Sequence, residues 1–217
     1  INSLGKLETL AKQMAGILAD ERPFHPYSSL LCFTAEDPLP QSIQHQLLAA
    51  ATICGHQTTL AHITSCEKAS AAFDFGRQTA ERLSFASPVL GITYALPASW
   101  DRERLLHQLC TPKGNLRYPP TAFLKPFTSA ERNLFAAFLG AIIAAAHNRT
   151  LVVLDDSLTE IIGAYAKCLC PDIHPYLLSV QPQLFPLGIS CSHGWIAALG
   201  IQAVQASLHM LNQMKTF

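Results

Sequence analysis

The stretch SAERNLFAAFLGAIIAAAHNRTLVVLD, residues 129–155, decides the fold. It holds two apolar runs of different kinds. Thr128 and Glu131 are spaced as a capping box, in which the threonine hydroxyl takes the backbone N–H of the third helical residue and the glutamate reaches back to the cap. That spacing predicts a helix running to about Ala146. The apolar run inside it, Leu134 to Ala146, is broken only by Gly140. It is too short for a membrane span, which takes about 20 residues. Leu151-Val152-Val153-Leu154 follows, uniformly apolar and without alternation, as expected of a strand buried on both faces.

On the C-terminal side the strand ends in Asp155-Asp156. Asp156 or Ser157 can cap the next helix, which runs to about Cys170 and is closed by Pro171. Residues 171–192 read as irregular, with Pro171, Pro175, Pro182, Pro186 and Gly188. A last helix starts near Trp195. On the N-terminal side, Leu7, Leu10, Met14, Ile17 and Leu18 share one helical face. Leu30 to Thr34 reads as a buried strand, Gln41 to Cys54 as a helix stopped by Gly55, and Thr58 to Thr64 as a β-branched strand. Ser70 to Leu83 reads as a helix and Pro88 to Tyr94 as a strand. Residues 111–127, with Pro112, Gly114, Pro119, Pro120 and Pro126, form an irregular connection.

Alternating helices and uniformly apolar strands predict an α/β fold. A parallel sheet is flanked by helices in a Rossmann-like layout, with additional helices from the terminal regions. Residues 1–217 read as a single domain. Ligands of such sheets sit at the C-terminal strand ends. Here those ends are Glu36-Asp37, residues 95–101 and Asp155-Asp156. The aspartate pair has two readings that the sequence leaves open: polar groups facing a ligand crevice, or a helix cap with a solvated turn.

Lys+Arg and Asp+Glu number 15 each, and apolar residues make up 49% against 14% charged. No basic stripe appears, which argues against a nucleic-acid partner. A lightly charged, core-rich chain suits a subunit with a large apolar interface. The 7 cysteines are irregularly spaced and odd in number, which points to a reducing cytoplasm. Cys168, Cys170, Cys191, His174 and His193 match no usual zinc spacing. No metal is expected, and neither a GxGxxG sequence nor a P-loop is present.

Several segments in order resemble the nicotinate-mononucleotide:dimethylbenzimidazole phosphoribosyltransferase family, which makes the lower-ligand nucleotide of cobamides. Asn2 to Glu8 is similar to that family's GSLGRLE. Pro40-Gln41 through Gln46-Leu47 is similar to YPQEVTAQMV. Residues 129–155 are similar to GGFEIAAMAGAFLAAAAHRIPVVVD. Cys170-Pro171 with Tyr176-Leu177 is similar to CPAVRDYL, and Ala197 through Leu211 to ALEALGLRPLLDLGMRL. The resemblance implies a segment missing before Asn2. It makes Gln46, Asp155 and Asp156 the ligand-facing candidates, with no cofactor.

The departures matter more. The family's GIGNTT loop cradles the nucleotide phosphate on backbone N–H groups. The corresponding Leu96 to Asp101 has Pro97, which lacks an N–H, and Asp101, which repels phosphate. The family's DGF is Asp155-Asp156-Ser157 here, and near its SAEPGH segment lies Ser192-His193. The family's catalytic glutamate, which takes the proton of the incoming aromatic acceptor, falls on Gln213. An amide cannot act as that base. With the altered phosphate loop, this suggests two losses in one pocket.

The resemblance therefore implies a non-catalytic subunit of a heterodimeric phenol/p-cresol phosphoribosyltransferase. Its catalytic homologous partner would bind most of the nicotinate mononucleotide and the aromatic acceptor. A free-standing divergent enzyme using Asp155, Glu36 or Asp37 as base, and a ligand-binding pseudoenzyme, are the alternatives.

Overall fold

The computed structural model describes residues 6–20, 27–54, 58–64, 66–111, 115–180 and 193–213. In chain order these form α1 (Lys6–Leu18), β1 (Ser28–Thr34), α2 (Gln41–Cys54), β2 (Thr58–His62), α3 (Ala69–Ala86) and β3 (Val89–Ala95). Then come α4 (Arg102–Leu109), α5 (Ser129–His147), β4 (Leu151–Leu154) and α6 (Ser157–Leu169). A 3-10 turn (Pro171–Tyr176), β5 (Leu177–Ser179) and α7 (Trp195–Gln213) complete the order.

All four strand pairings are parallel, and the sheet order is β2-β1-β3-β4-β5. The chain steps from β1 outward to β2, then crosses back to β3 on the other side of β1. The order therefore reverses between β1 and β3, which makes the crevice above their C-terminal ends the topological switch point.

The uniform apolar runs follow from this layering. Every residue of β1, β3 and β4 is buried. Leu31, Phe33, Leu90, Ile92, Val152 and Leu154 face α3, α5 and α6. Leu30, Val89, Leu151 and Val153 face α1 and α7. Phe138 on α5 packs its ring 5.0 Å from Phe33 and 6.0 Å from Tyr94. The capping box at Thr128 and Glu131 forms as the spacing predicts. Although α5 is apolar and long enough to cross a membrane, it lies inside the fold, 78% of its apolar window being buried.

Helices α3 and α5 meet backbone to backbone. A methyl group on Gly140 would sit 2.2 Å from the Phe73 carbonyl oxygen, and one on Gly76 2.0 Å from that of Ala137. The glycine that interrupts the apolar run of α5 is thus a contact point.

Two elements differ from the sequence reading. Residues left unassigned after Pro97 form α4, capped by Asp101, whose carboxylate accepts from Arg104 N at 3.1 Å. The stretch read as irregular after Pro171 contains the edge strand β5. The 111–127 connection is non-helical where it is described, and it is pinned from α6. Tyr165 stacks on Phe123 at 4.3 Å and donates its hydroxyl to Leu109 O at 2.9 Å. The Asn2–Gly5 resemblance, Cys191, Ser192 and the Pro182–Gly188 stretch lie outside the described residues.

Candidate functional site at the C-terminal strand ends

Asp155 ends β4 and is 2% exposed. Its Oδ2 accepts from Thr93 Oγ1 at 2.7 Å and Gly194 N at 2.9 Å, and its Oδ1 from Ala197 N at 2.9 Å. Gly194 and Ala197 open α7, so Asp155 supplies from another element the carboxylate that usually stands at the helix start itself. The turn that makes this possible has His193 at φ 58° and Gly194 at φ 89°. A side chain at Gly194 would also press to 2.9 Å from Leu30. Burial raises the Asp155 carboxyl above the ordinary carboxylate range, against the pull of its donors.

Asp156 turns the other way. Its Oδ1 accepts from Leu158 N at 3.0 Å and Thr159 N at 3.1 Å, closing a capping box at α6. Its Oδ2 takes the Tyr94 hydroxyl and, at 2.9 Å, Arg102 Nη2. Arg102 also gives Nε to the Tyr94 oxygen at 3.1 Å and Nη1 to Glu103 at 3.0 Å. Burial, first, and the Asp156 carboxylate push the Tyr94 hydroxyl well above its ordinary range, so it stays a neutral donor.

Arg104 reaches Glu131 of the α5 capping box and gives Nη1 to Gln108 at 2.9 Å. Glu131 is 2% exposed. Burial raises its pKa, but the Thr128 N–H and the Arg104 guanidinium outweigh it and leave the carboxyl below its ordinary value.

The N-termini of α4, α5, α6 and α7 thus each carry a side-chain cap supplied by the chain. Both arginines are paired as well. A helix N-terminus and a free guanidinium are the usual ways to hold a phosphate. Here the positions are taken by Asp101, Thr128, Asp156, Asp155, Glu103 and Glu131.

At the β1 end the Thr34 hydroxyl accepts from Glu36 N at 3.0 Å, and His62 Nδ1 donates to Glu36 O at 3.3 Å. Asp37 lies 4.0 Å from the same nitrogen. Gln46 on α2 is exposed, and its Oε1 accepts from His193 Nδ1 at 2.8 Å. Burial lowers the His193 pKa, which keeps the ring neutral. Gln46, Asp155 and Asp156 therefore all belong to the same end of the sheet. The first reaches the α7 turn, the second caps α7 and the third caps α6.

Gln213 does not join them. Gln205 Nε2 already meets Ser28 Oγ at 3.5 Å, at the start of β1. Helix α7 is 19 residues long, or about 28 Å at the α-helical rise. It carries Gln213, exposed at its last turn, past the opposite edge of the sheet. The expectation that Gln213 and the 96–101 turn share one pocket of this chain is corrected by that length. Tyr94 and Arg102 were missed from sequence. Asp156 lies 54 positions from Arg102, and no spacing signals such a pair.

No protein-family model matches the chain. Over 137 residues it is 27% identical to a nicotinate-nucleotide–dimethylbenzimidazole phosphoribosyltransferase from Pelodictyon phaeoclathratiforme (strain DSM 5477 / BU-1). That match covers 54% of this chain and 38% of the relative. The crystal structure of a phosphoribosyltransferase of the same description from Thermus thermophilus superposes with a TM-score of 0.71. It is 15% identical and covers 100% of this chain and 92% of that one. A structure of CobT from Thermus thermophilus gives 0.70 at 13% identity, with the same coverage. The fold is that of these phosphoribosyltransferases. The chain spans well under half the length of the curated relative, so the relative's activity bears on it as a proposal. Among the described residues no group of His, Cys, Asp or Glu forms a metal-binding cluster.

Proposed function

We propose that this chain is a cytoplasmic, non-catalytic subunit of a phosphoribosyltransferase that makes the lower-ligand nucleotide of cobamides. In that reaction an aromatic acceptor, here a phenol, attacks the anomeric carbon of nicotinate mononucleotide. Nicotinate leaves and a base takes the acceptor's proton. A catalytic homologous subunit carries that chemistry and binds the nucleotide and the phenol. The present chain supports the partner's site.

One observation supports the reading above the others. Among the described residues, the N-termini of α4, α5, α6 and α7 already carry caps from the chain's own side chains, and Arg102 and Arg104 are ion-paired, whereas α3 has no side-chain cap. A phosphate would have to displace the Asp155 or Asp156 carboxylate, each held by several donors. Charge-assisted bonds of this kind contribute about 1.5–3 kcal/mol each. The phosphoribosyltransferases of similar sequence and fold support the transferase part of the reading.

Co-expression with an intact homologue carrying GIGNTT and GEG tests it. A stable complex on purification is expected. A chain that purifies as a monomer beside such a homologue would count against it.

A further inference from the structure

The opposite, N-terminal edge of the sheet carries features that the proposed function does not use. Edge strand β2 pairs with β1 alone among the described residues. Its five residues, TTLAH, include no Lys, Arg, Asp, Glu or Pro, the residues that usually block a free strand edge. Leu60, at its centre, is 40% exposed. Beside it a cleft of about 1080 Å³ runs between the ends of α2 and α3, lined among others by Leu48, Thr59, Arg82 and Ala86. Leu48 is 66% exposed and Phe85, on the same last turns of α3 as Arg82, is 97% exposed.

Two further observations give this corner a polar side. Arg82, like Arg117, Arg132 and Arg149, has no ion-pair partner among the described residues, but of these four it alone lines the cleft. Thr58 Oγ1 and Ser84 Oγ are buried without a hydrogen-bond partner among the described residues; they adjoin the cleft residues Thr59 and Leu83 in sequence but do not line the cleft.

We propose that this edge takes an extended segment of a partner polypeptide bearing apolar side chains and a carboxylate. Its backbone pairs with the open side of β2 as a sixth strand. Its apolar side chains cover Leu60 and lie against Leu48 and Phe85, and its carboxylate meets Arg82. The free strand edge selects a polypeptide over a small molecule, and the unpaired Arg82 guanidinium in the cleft selects an acidic one. The inference is independent of the proposed transferase role, because Leu60, Arg82 and the cleft they adjoin take no part in that role.

The test uses the whole chain and a short capped fluorescent peptide of alternating valine and glutamate. Saturable binding is expected, with exchange protection of the β2 amides that β1 leaves unpaired. Arg82→Glu weakens it on the order of tenfold, and a valine–lysine peptide recovers affinity for that variant. Leu60→Lys and a backbone N-methylated peptide both abolish it. Both substituted residues are exposed, and circular dichroism confirms that each variant folds. Absence of saturable binding, or binding indifferent to Arg82→Glu and Leu60→Lys, overturns the proposal. So does a chain that dimerises alone and returns to monomer with Leu60→Lys, since the occupant would then be a second copy.

Discussion

Asp155 Oδ1 accepts the backbone N–H of Ala197 at 2.9 Å, tying the end of β4 to the first turn of α7. The same carboxylate takes Gly194 N and Thr93 Oγ1, so one buried side chain sets where α7 leaves the sheet. Asp155→Ala leaves two α7 donors and one hydroxyl unsatisfied in the interior. A loss of about 3 kcal/mol is expected, read as a lower urea midpoint at unchanged slope. A change below about 0.5 kcal/mol would remove Asp155 from this role.

Arg102 and Asp156 form a half-exposed pair whose value depends on Tyr94. A double-mutant cycle of Arg102→Ala and Asp156→Asn should give a coupling of about 1 kcal/mol. Repeating it in Tyr94→Phe should reduce that coupling, because the phenol no longer shares the carboxylate oxygen. Additive effects in both backgrounds would show the three groups to be independent.

Much of this architecture was legible in residues 129–155. The capping box and the run from Leu134 are local signals, and the uniform Leu151–Leu154 run specifies a strand covered on both faces. What escaped was short or non-local. Strand β5 has three residues and follows Pro175, so turn residues obscured it. Helix α4 has eight residues and offers only Leu105 and Leu109 as a fully buried stripe. At the site, Asp156 was legible as a cap from its place before Ser157. The role of Asp155 was not, because its partners Gly194 and Ala197 become neighbours only when α7 folds back. The start of α7 near Trp195 was legible too, but its length decides that Gln213 leaves the site.

Helices α3 and α5 allow no side chain at their crossing. Gly140→Ala should destabilise the protein by about 3 kcal/mol, since the obstructing atom is the Phe73 backbone carbonyl and cannot rotate away. An unchanged melting temperature would mean that the helices separate at no cost.

The acid limb of stability should depend on Glu131. Its folded pKa lies below the ordinary value of 4.5. Its contribution is therefore complete above the unfolded pKa and is lost as pH falls through the folded one. The stability gap between wild type and Glu131→Gln should narrow as pH falls below the ordinary value of 4.5. Asp155 has the opposite sign: its raised pKa contributes stability at low pH that fades as pH rises through the folded value. A gap for Glu131→Gln that widens with acid would contradict the assignment.

The central claim is that the strand-end site of this chain no longer transfers phosphoribose. It is tested most directly by following nicotinate release from nicotinate mononucleotide and phenol, using the purified chain alone and its Gln213→Glu form. Neither should turn over, because the phosphate positions stay filled by Asp155 and Asp156 and residue 213 lies beyond the far edge of the sheet. Steady release by the isolated chain, abolished by Asp155→Asn in a variant that still folds, would contradict the account.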